Sequence, residues 1–514
     1  MDSRYSRGLA ASSIAAGFLT AALATVLTAE PAATKLVDAV KNTDKTATRA
    51  LLKQRADVNA PDVDGTTALH WAVRLDDTET ADLLIKGGAN VKAMNRYNVT
   101  PLSLASENGN AAMIDLLLKA GADPNAALAG GETPLMTAAR TGKAAAVKTL
   151  LTHKADVNAK EGEGQTALMW AAAEGNTEAA TMLLEFGADI KAVSNGGFSP
   201  LLFAVREGRL DTTKALIKAG ANPNETIGRS KASAYRVKNY TIAGTGALLL
   251  AVENGHYELA SYLLDAGADP NGSTRGWTAL HAITWVRKPG GGSNDPAPLG
   301  SGSVDSIALI KKLVAKGANL NATMTRRWPA GYTVLNMQGA TPFLMAARTG
   351  DAELLKLYAE LGADTKKPNA DGTTPAMAAA GVGTRSPGED PGTEKEVLEA
   401  VKVLVDLGAD LNAVDKNGET VMHGAAYKHL PALTQFLYDK GAKLSVWNTK
   451  NKDRWTPLRI AEGVHRTGNL RASAATATVL KEIMTKEGVS TVVEPEEENA
   501  EAVREQLIQL NQNQ

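Results

Sequence analysis

Seven histidines, an arginine and aromatic run near position 330, and two aspartate-rich turns are the residues of this 514-residue chain whose types could do chemistry. Histidine carries protons and binds metals near neutral pH, which singles out His70, His153, His256, His281, His423, His429 and His465. None belongs to a His-Glu-x-x-His zinc helix, and His429 and His465, each nine residues after a repeat threonine in separate units, are not expected to share a metal directly. Asp62-Val63-Asp64-Gly65 and Asp415-Lys416-Asn417-Gly418 space their oxygens as a calcium loop does, but neither continues to the remaining ligands and the distal glutamate. With no cysteine there is no thiolate metal site, no catalytic thiol and no disulfide. Nor does the chain hold a Gly-x-Ser-x-Gly nucleophile elbow or a phosphate-cradling loop ending Gly-Lys-Ser/Thr. An enzyme would have to assemble Arg326, Arg327, Trp328, Tyr332 and His465 from separate segments.

What must position these residues is a repeat. A Thr, or Ser199 or Gly246 in its place, stands before Pro, Ala or Val, then an apolar residue and a small one. The pattern starts at Thr67, Thr100, Thr133, Thr166 and Ser199, all 33 residues apart, then at Gly246, Thr278, Thr341, Thr374, Thr420 and Thr456. Twenty-one residues after most starts comes Gly-Ala-Asp or Gly-Ala-Asn, as at Gly121-Ala122-Asp123 and Gly187-Ala188-Asp189. Thr accepts from an orphan N–H at a helix start, and Pro loses nothing in the first turn, where its missing donor is not needed. Ala five residues on (Ala72, Ala105, Ala138, Ala171, Ala204) lets first helices approach closely, and pairs such as Leu116-Leu117 and Leu183-Leu184 give a second helix its apolar bulk. Gly121 and its equivalents end that helix in the left-handed region, and Asp-x-Asn followed by Asp-Gly or Gly-Gly predicts a hairpin-like finger.

The period and the Thr-Pro-Leu-His-x-Ala signature, with His at His70, His281 and His423, resemble the ankyrin-repeat family over residues 33–484. The resemblance implies an all-α solenoid of about twelve helix-turn-helix units with hairpin-like fingers, regular over 33–225 and insertion-bearing over 225–484. It also implies that the three signature histidines bond neighbouring backbone and that the chain binds a protein. Such a stack offers a surface rather than a pocket, so no enzyme activity, cofactor or metal is expected, and its end units must be atypical caps.

Charge and the termini bound the rest. With 55 basic and 56 acidic residues the net charge is −1, which disfavours nucleic acid and anionic membranes as partners. Arg4 and Arg7 precede an uncharged, Ala- and Leu-rich stretch from Gly8 to Ala29, the pattern of a secretory signal over 1–29; an uncleaved anchor is the rival. The expected protein is an exported monomer, periplasmic or extracellular, with no stable membrane insertion after signal cleavage. Residues 485–514, with Glu494-Pro495-Glu496-Glu497-Glu498, read as an acidic, flexible tail.

The later repeats are interrupted. Extra residues lengthen fingers over 225–245 and 323–340 and open helix turns over 285–303 and 381–394. Phe198, Trp277 and Trp455 stand directly before repeat starts, where the resemblance places side chains on the concave face; Trp71 and Trp170, four residues after a start, are expected in the core. Exposed aromatics and arginine mark interfaces, and the same aromatics could instead pin their insertions down. Seven residues after the start stand Arg74, Arg140, Arg206 and Arg348, guanidinium groups suited to the carboxylates of an acidic partner, or else one part of a solvated face of alternating charge. Candidate partner-binding residues are therefore these four arginines with Phe198, Trp277, Arg326, Arg327, Trp328, Tyr332 and Trp455. Rival functions are a periplasmic accessory supporting an envelope enzyme or stress response, an enzyme with a site built from the insertions, and a translocated effector acting in a host cell.

Overall fold

A computed structural model describes residues 32–229, 243–273, 275–289, 298–326, 333–384, 387–388, 390–463 and 472–492. The signal expected over 1–29 and most of the tail expected over 485–514 lie outside them. The described residues form short helices in pairs, with no strand; isolated bridges such as Pro61 with Thr67 are the β-type pairing present. Two compact units divide the chain at Ala268 and Asp269.

In the amino-terminal unit each repeat forms as its residues dictate. Thr133 accepts from the N–H of Met136, Pro134 opens the helix Pro134–Thr141, and Gly142 closes it at φ +75°. First helices pack side by side from Ala32–Lys41 through Ala247–Glu253, and second helices form a parallel row behind them. Ala72, Ala105, Ala138, Ala171 and Ala204 are fully buried in the first row, and Leu84, Leu117, Leu150, Leu183 and Leu216 in the second. Each such leucine, truncated to alanine, would cost about 2–5 kcal/mol. The degenerate start of the array is a helix pair too, Ala32–Lys41 with Lys45–Lys53.

Fingers are stapled to one another by the asparagine of Asp-x-Asn. Asn59 Nδ2 donates to the Gly88 carbonyl at 3.1 Å while its Oδ1 accepts from the Asn90 N–H, so one side chain satisfies both a donor and an acceptor of the next repeat. Asn158 repeats this with Gly187 and Asp189, and in the carboxyl-terminal unit Asn412 does so with Gly441 and Lys443. The sequence motif reads as a local turn; its third residue is also a tie between neighbours.

The carboxyl-terminal unit runs from Ala279–Arg287 to the closing pair Pro457–Glu462 and Ala474–Lys486, with the helix Ala279–Arg287 separated from its partner Ser306–Ala315 by an insertion. A second insertion separates Pro375–Ala380 from Glu394–Asp406.

Candidate functional site: the first-helix face

In each regular first helix the residues one, two, three, five and six places after the start are buried and the seventh faces outward, while the fourth, three before it on the same stripe, is half-buried at Trp71, Leu104 and Trp170 and buried at Thr137 and Phe203. Trp71 and Trp170 occupy that fourth place and are half-buried on the outer surface, a correction to their expected place in the core. For Trp71 the exposed Arg74 three residues later was the available signal, since a residue three places away shares its face; Trp170 has Ala173 there and carries no such signal. Phe198, Trp277 and Trp455 are corrected in the opposite sense: they are 7%, 3% and 8% exposed. The backbone of Phe198 and Trp455 is locked by the finger. The N–H groups of Phe198 and Trp455 donate to Ser194 Oγ and Asn451 Oδ1, and the Trp455 carbonyl accepts from His423. Phe198 packs on Phe203 with ring centroids 5.3 Å apart, and Trp277 meets Trp285 edge-on at 6.2 Å.

The arginines rest on these rings. The Arg74 guanidinium stands 5.6 Å from the Trp71 ring centre, Arg140 5.5 Å from Trp170 in the next first helix, and Arg206 5.0 Å from both Phe198 and Phe203. Lys41 Nζ lies 4.8 Å from the centre of the same Trp71 ring. The sequence reading missed Lys41 because its repeat lacks the threonine start, yet it stands 33 residues before Arg74 and so occupies the same register. Arg140 and Arg206 keep 44% and 39% of their side chains in water, with carboxylate neighbours at the surface: Glu132 at 3.6 Å and Glu207 at 2.8 Å. No carboxylate among the described residues pairs with Arg74.

Buried indole N–H groups usually find an acceptor. Those of Trp71 and Trp170 are buried, and no acceptor among the described residues meets them. Leaving such a donor unpaired costs about 1–3 kcal/mol, and Leu104 fills the same register without it. Packing alone therefore does not account for tryptophan at these two places, whereas a flat platform under a guanidinium does.

Arg348, the fourth arginine of the register, is not available in this way. It donates to Asp390 Oδ1 at 2.9 Å, and the two side chains are 16% and 9% exposed. Asp390 belongs to the helix-turn insertion and also accepts from Thr384 Oγ1 at 2.5 Å. Thr384 bridges to Thr333 of the finger insertion, whose neighbour Val334 donates to the Gly383 carbonyl at 2.8 Å, so the two insertions meet. Behind them Lys428 Nζ donates to the Pro391 carbonyl at 2.7 Å; burial lowers its pKa to about 8, with Asp390 opposing the shift. The hydrogen bond from Lys288 is the first cause holding Glu396 down at about 2, and Arg287 pairs with Asp351 and Glu353. Arg326 is exposed beside Gly276, and Arg327, Trp328, Tyr332 and His465 lie outside the described residues.

The signature histidines are structural. His70 Nδ1 accepts from the Thr67 N–H at 3.2 Å, so the proton sits on Nε2, which donates to the Val99 carbonyl at 3.0 Å. His281 and His423 repeat this, and burial lowers both to about 4. His429 holds the left-handed conformation expected of a glycine replacement, at φ +60°. Among the described residues no three His, Cys, Asp or Glu gather as a metal site, and no helix is long and apolar enough to cross a membrane. A hollow of about 680 Å³ lies beside Tyr438, Lys443 and Glu487, where Tyr438 donates to Glu487 and is raised in pKa by that bond.

Sequence profiles of ankyrin repeats match residues 36–128 and 135–227, and further ankyrin-repeat profiles match 244–274 and 394–429. The E3 ubiquitin-protein ligase KEG of Arabidopsis thaliana is 25% identical over 206 residues, 37% of this chain and 12% of that protein. A putative ankyrin repeat protein, FPV219, of fowlpox virus (strain NVSL) is 44% identical over 50 residues, 10% of this chain and 12% of its own length. The chain thus spans about an eighth of the curated relatives it matches. It is an ankyrin-repeat protein with an all-α repeat architecture, and such repeats imply a protein partner.

Proposed function

We propose that this ankyrin-repeat chain is a non-catalytic scaffold, exported from the cytoplasm, that seats a protein partner on the first-helix face of its amino-terminal unit. One observation carries the reading: exposed or half-exposed cations in register on adjoining helices, held over rings whose indole N–H groups meet no acceptor among the described residues. Arginine over aromatic surface is the composition of binding hot spots, and helix packing alone does not require it here. Export is supported by Arg4, Arg7 and the uncharged stretch behind them.

Site-specific photocrosslinking in the native host tests the interface. A benzophenone residue at Glu107, on this face, is expected to capture a partner protein, and the same group at Lys148 on a second helix is not. Capture at Glu107 should vanish in Arg74→Glu/Arg140→Glu with the helical melt unchanged. Equal capture from both positions would place the interface elsewhere. Export is tested by sequencing the mature amino terminus: a chain starting at Met1 in the cytosolic fraction removes it.

A further inference from the structure

We propose that the segment seated on this face is an extended acidic stretch of the partner, with carboxylates about six residues apart and a neutral or basic residue between the first two. This rests on the binding face proposed above and names the chemistry of its occupant. The register reads Lys41, Arg74, Glu107, Arg140, Ala173, Arg206 along successive first helices: four cations, one acid and one small residue. Neighbouring packed helices stand about 8–10 Å apart, so Arg74 to Arg140 and Arg140 to Arg206, two repeats each, are spans of roughly 16–20 Å. An extended chain rising ~3.3 Å per residue covers such a span in about five or six residues. Glu107, exposed midway along the first span, repels a carboxylate there; Ala173, midway along the second, does not.

The protein already holds one example of the complementary contact. At the same register Arg348 receives a carboxylate from Asp390, which lies in an inserted segment between helices and not on a helix, and the pair closes to 2.9 Å. Arg74, Arg140 and Arg206 have the same register, and among the described residues no inserted segment offers them a carboxylate. Their own-chain carboxylates do not fill the role. Glu132 is 3.6 Å from Arg140 and already accepts from Thr137 Oγ1, and Glu207 meets Arg206 as its next neighbour in the chain, at the surface. Exposed pairs of this kind contribute little and exchange readily. The rings beneath take one face of each guanidinium out of water and leave its edge for bidentate bonds to a carboxylate.

Fluorescence polarisation with the full chain tests this, using labelled 18-residue Gly/Ser/Thr peptides that carry three glutamates. Peptides with glutamates six apart are expected to bind at least about tenfold tighter than peptides of identical composition with glutamates three apart, and tightening should fade with salt. Arg140→Glu should weaken binding about tenfold, and a peptide with lysine for its central glutamate should recover it on that variant. Equal binding of both spacings, or absence of the lysine rescue, overturns the proposal. If no acidic peptide binds while Glu107 still crosslinks a partner, the acidic occupant is refuted and the binding face stands; if crosslinking is silent too, both fall.

Discussion

In the amino-terminal unit the arginine seven residues after a repeat start lies over an aromatic ring with about two fifths of its side chain in water at Arg140 and Arg206; in the carboxyl-terminal unit Arg348, at the same register, is paired with Asp390 and nearly closed off. The helices carrying them are built alike, from a threonine or serine cap to buried alanine. What differs is the neighbouring chain. At Arg74 and Arg140 the 33-residue step is kept and no inserted segment among the described residues meets the arginine; around Arg348 it is broken, and the added residues fold back and meet each other through Thr333, Gly383 and Thr384. Insertions on a repeat array suggest extra reach, yet around Arg348 they satisfy a surface that the regular repeats leave open.

Acid should separate the units most. His281 and His423 fall to about 4 in the folded carboxyl-terminal unit against an ordinary 6.5, so the unfolded chain binds more protons between those values. Their contribution is complete above about 6.5 and lost as pH falls toward 4. At about 1.4 kcal/mol per pKa unit this is on the order of 3 kcal/mol for each imidazole. Hydrogen exchange is therefore expected to show the carboxyl-terminal unit opening before the other as pH drops from 7 to 4.5, and uniform loosening would contradict it. In the amino-terminal unit burial also lowers His70 and His256, which are slightly less enclosed than His281 and His423.

Removing a carboxylate from each arginine should give the next largest contrast. Asp390→Ala leaves a mostly buried guanidinium unpaired and is expected to cost about 3 kcal/mol, whereas Glu132→Ala should cost less than about 1 kcal/mol because its pair with Arg140 is half in water. Urea melts of the two variants check this, and equal costs would dissolve the distinction between open and closed registers. Gly383→Ala is expected to lose about 1–2 kcal/mol and free the finger insertion to proteolysis. Gly383 sits at φ +89°, and a Cβ there would come within 2.6 Å of Leu335 Cβ. The smallest effect belongs to Trp170→Leu. Relief of the unpaired indole N–H offsets the lost apolar area, so stability should stay within about 0.5 kcal/mol while crosslinking at Glu107 falls.

How far the sequence reached differs between backbone and surface. Helix starts, the buried alanine and leucine rows and the histidine bonds were legible because each depends on local spacing that repeats every 33 residues. The aromatic assignments came out inverted. Burial of Phe198, Trp277 and Trp455 is set by fingers closing over the neighbouring repeat, and half-exposure of Trp71 and Trp170 by which helical stripe faces a neighbour. The tie made by Asn59 was half visible: its turn is local, its partners Gly88 and Asn90 are not.

By itself, then, the sequence determined the repeat, its caps and its two apolar rows, since a helix cap, a small residue and a left-handed glycine act within a few residues of themselves. Only the tertiary structure decided which arginines stay open. Arg140 and Arg348 are indistinguishable by position in their repeats, and their difference is made by Asp390, 42 residues further along the chain and brought alongside by two insertions that meet. An ion pair depends on distance and burial in space, and neither is fixed by register along the chain.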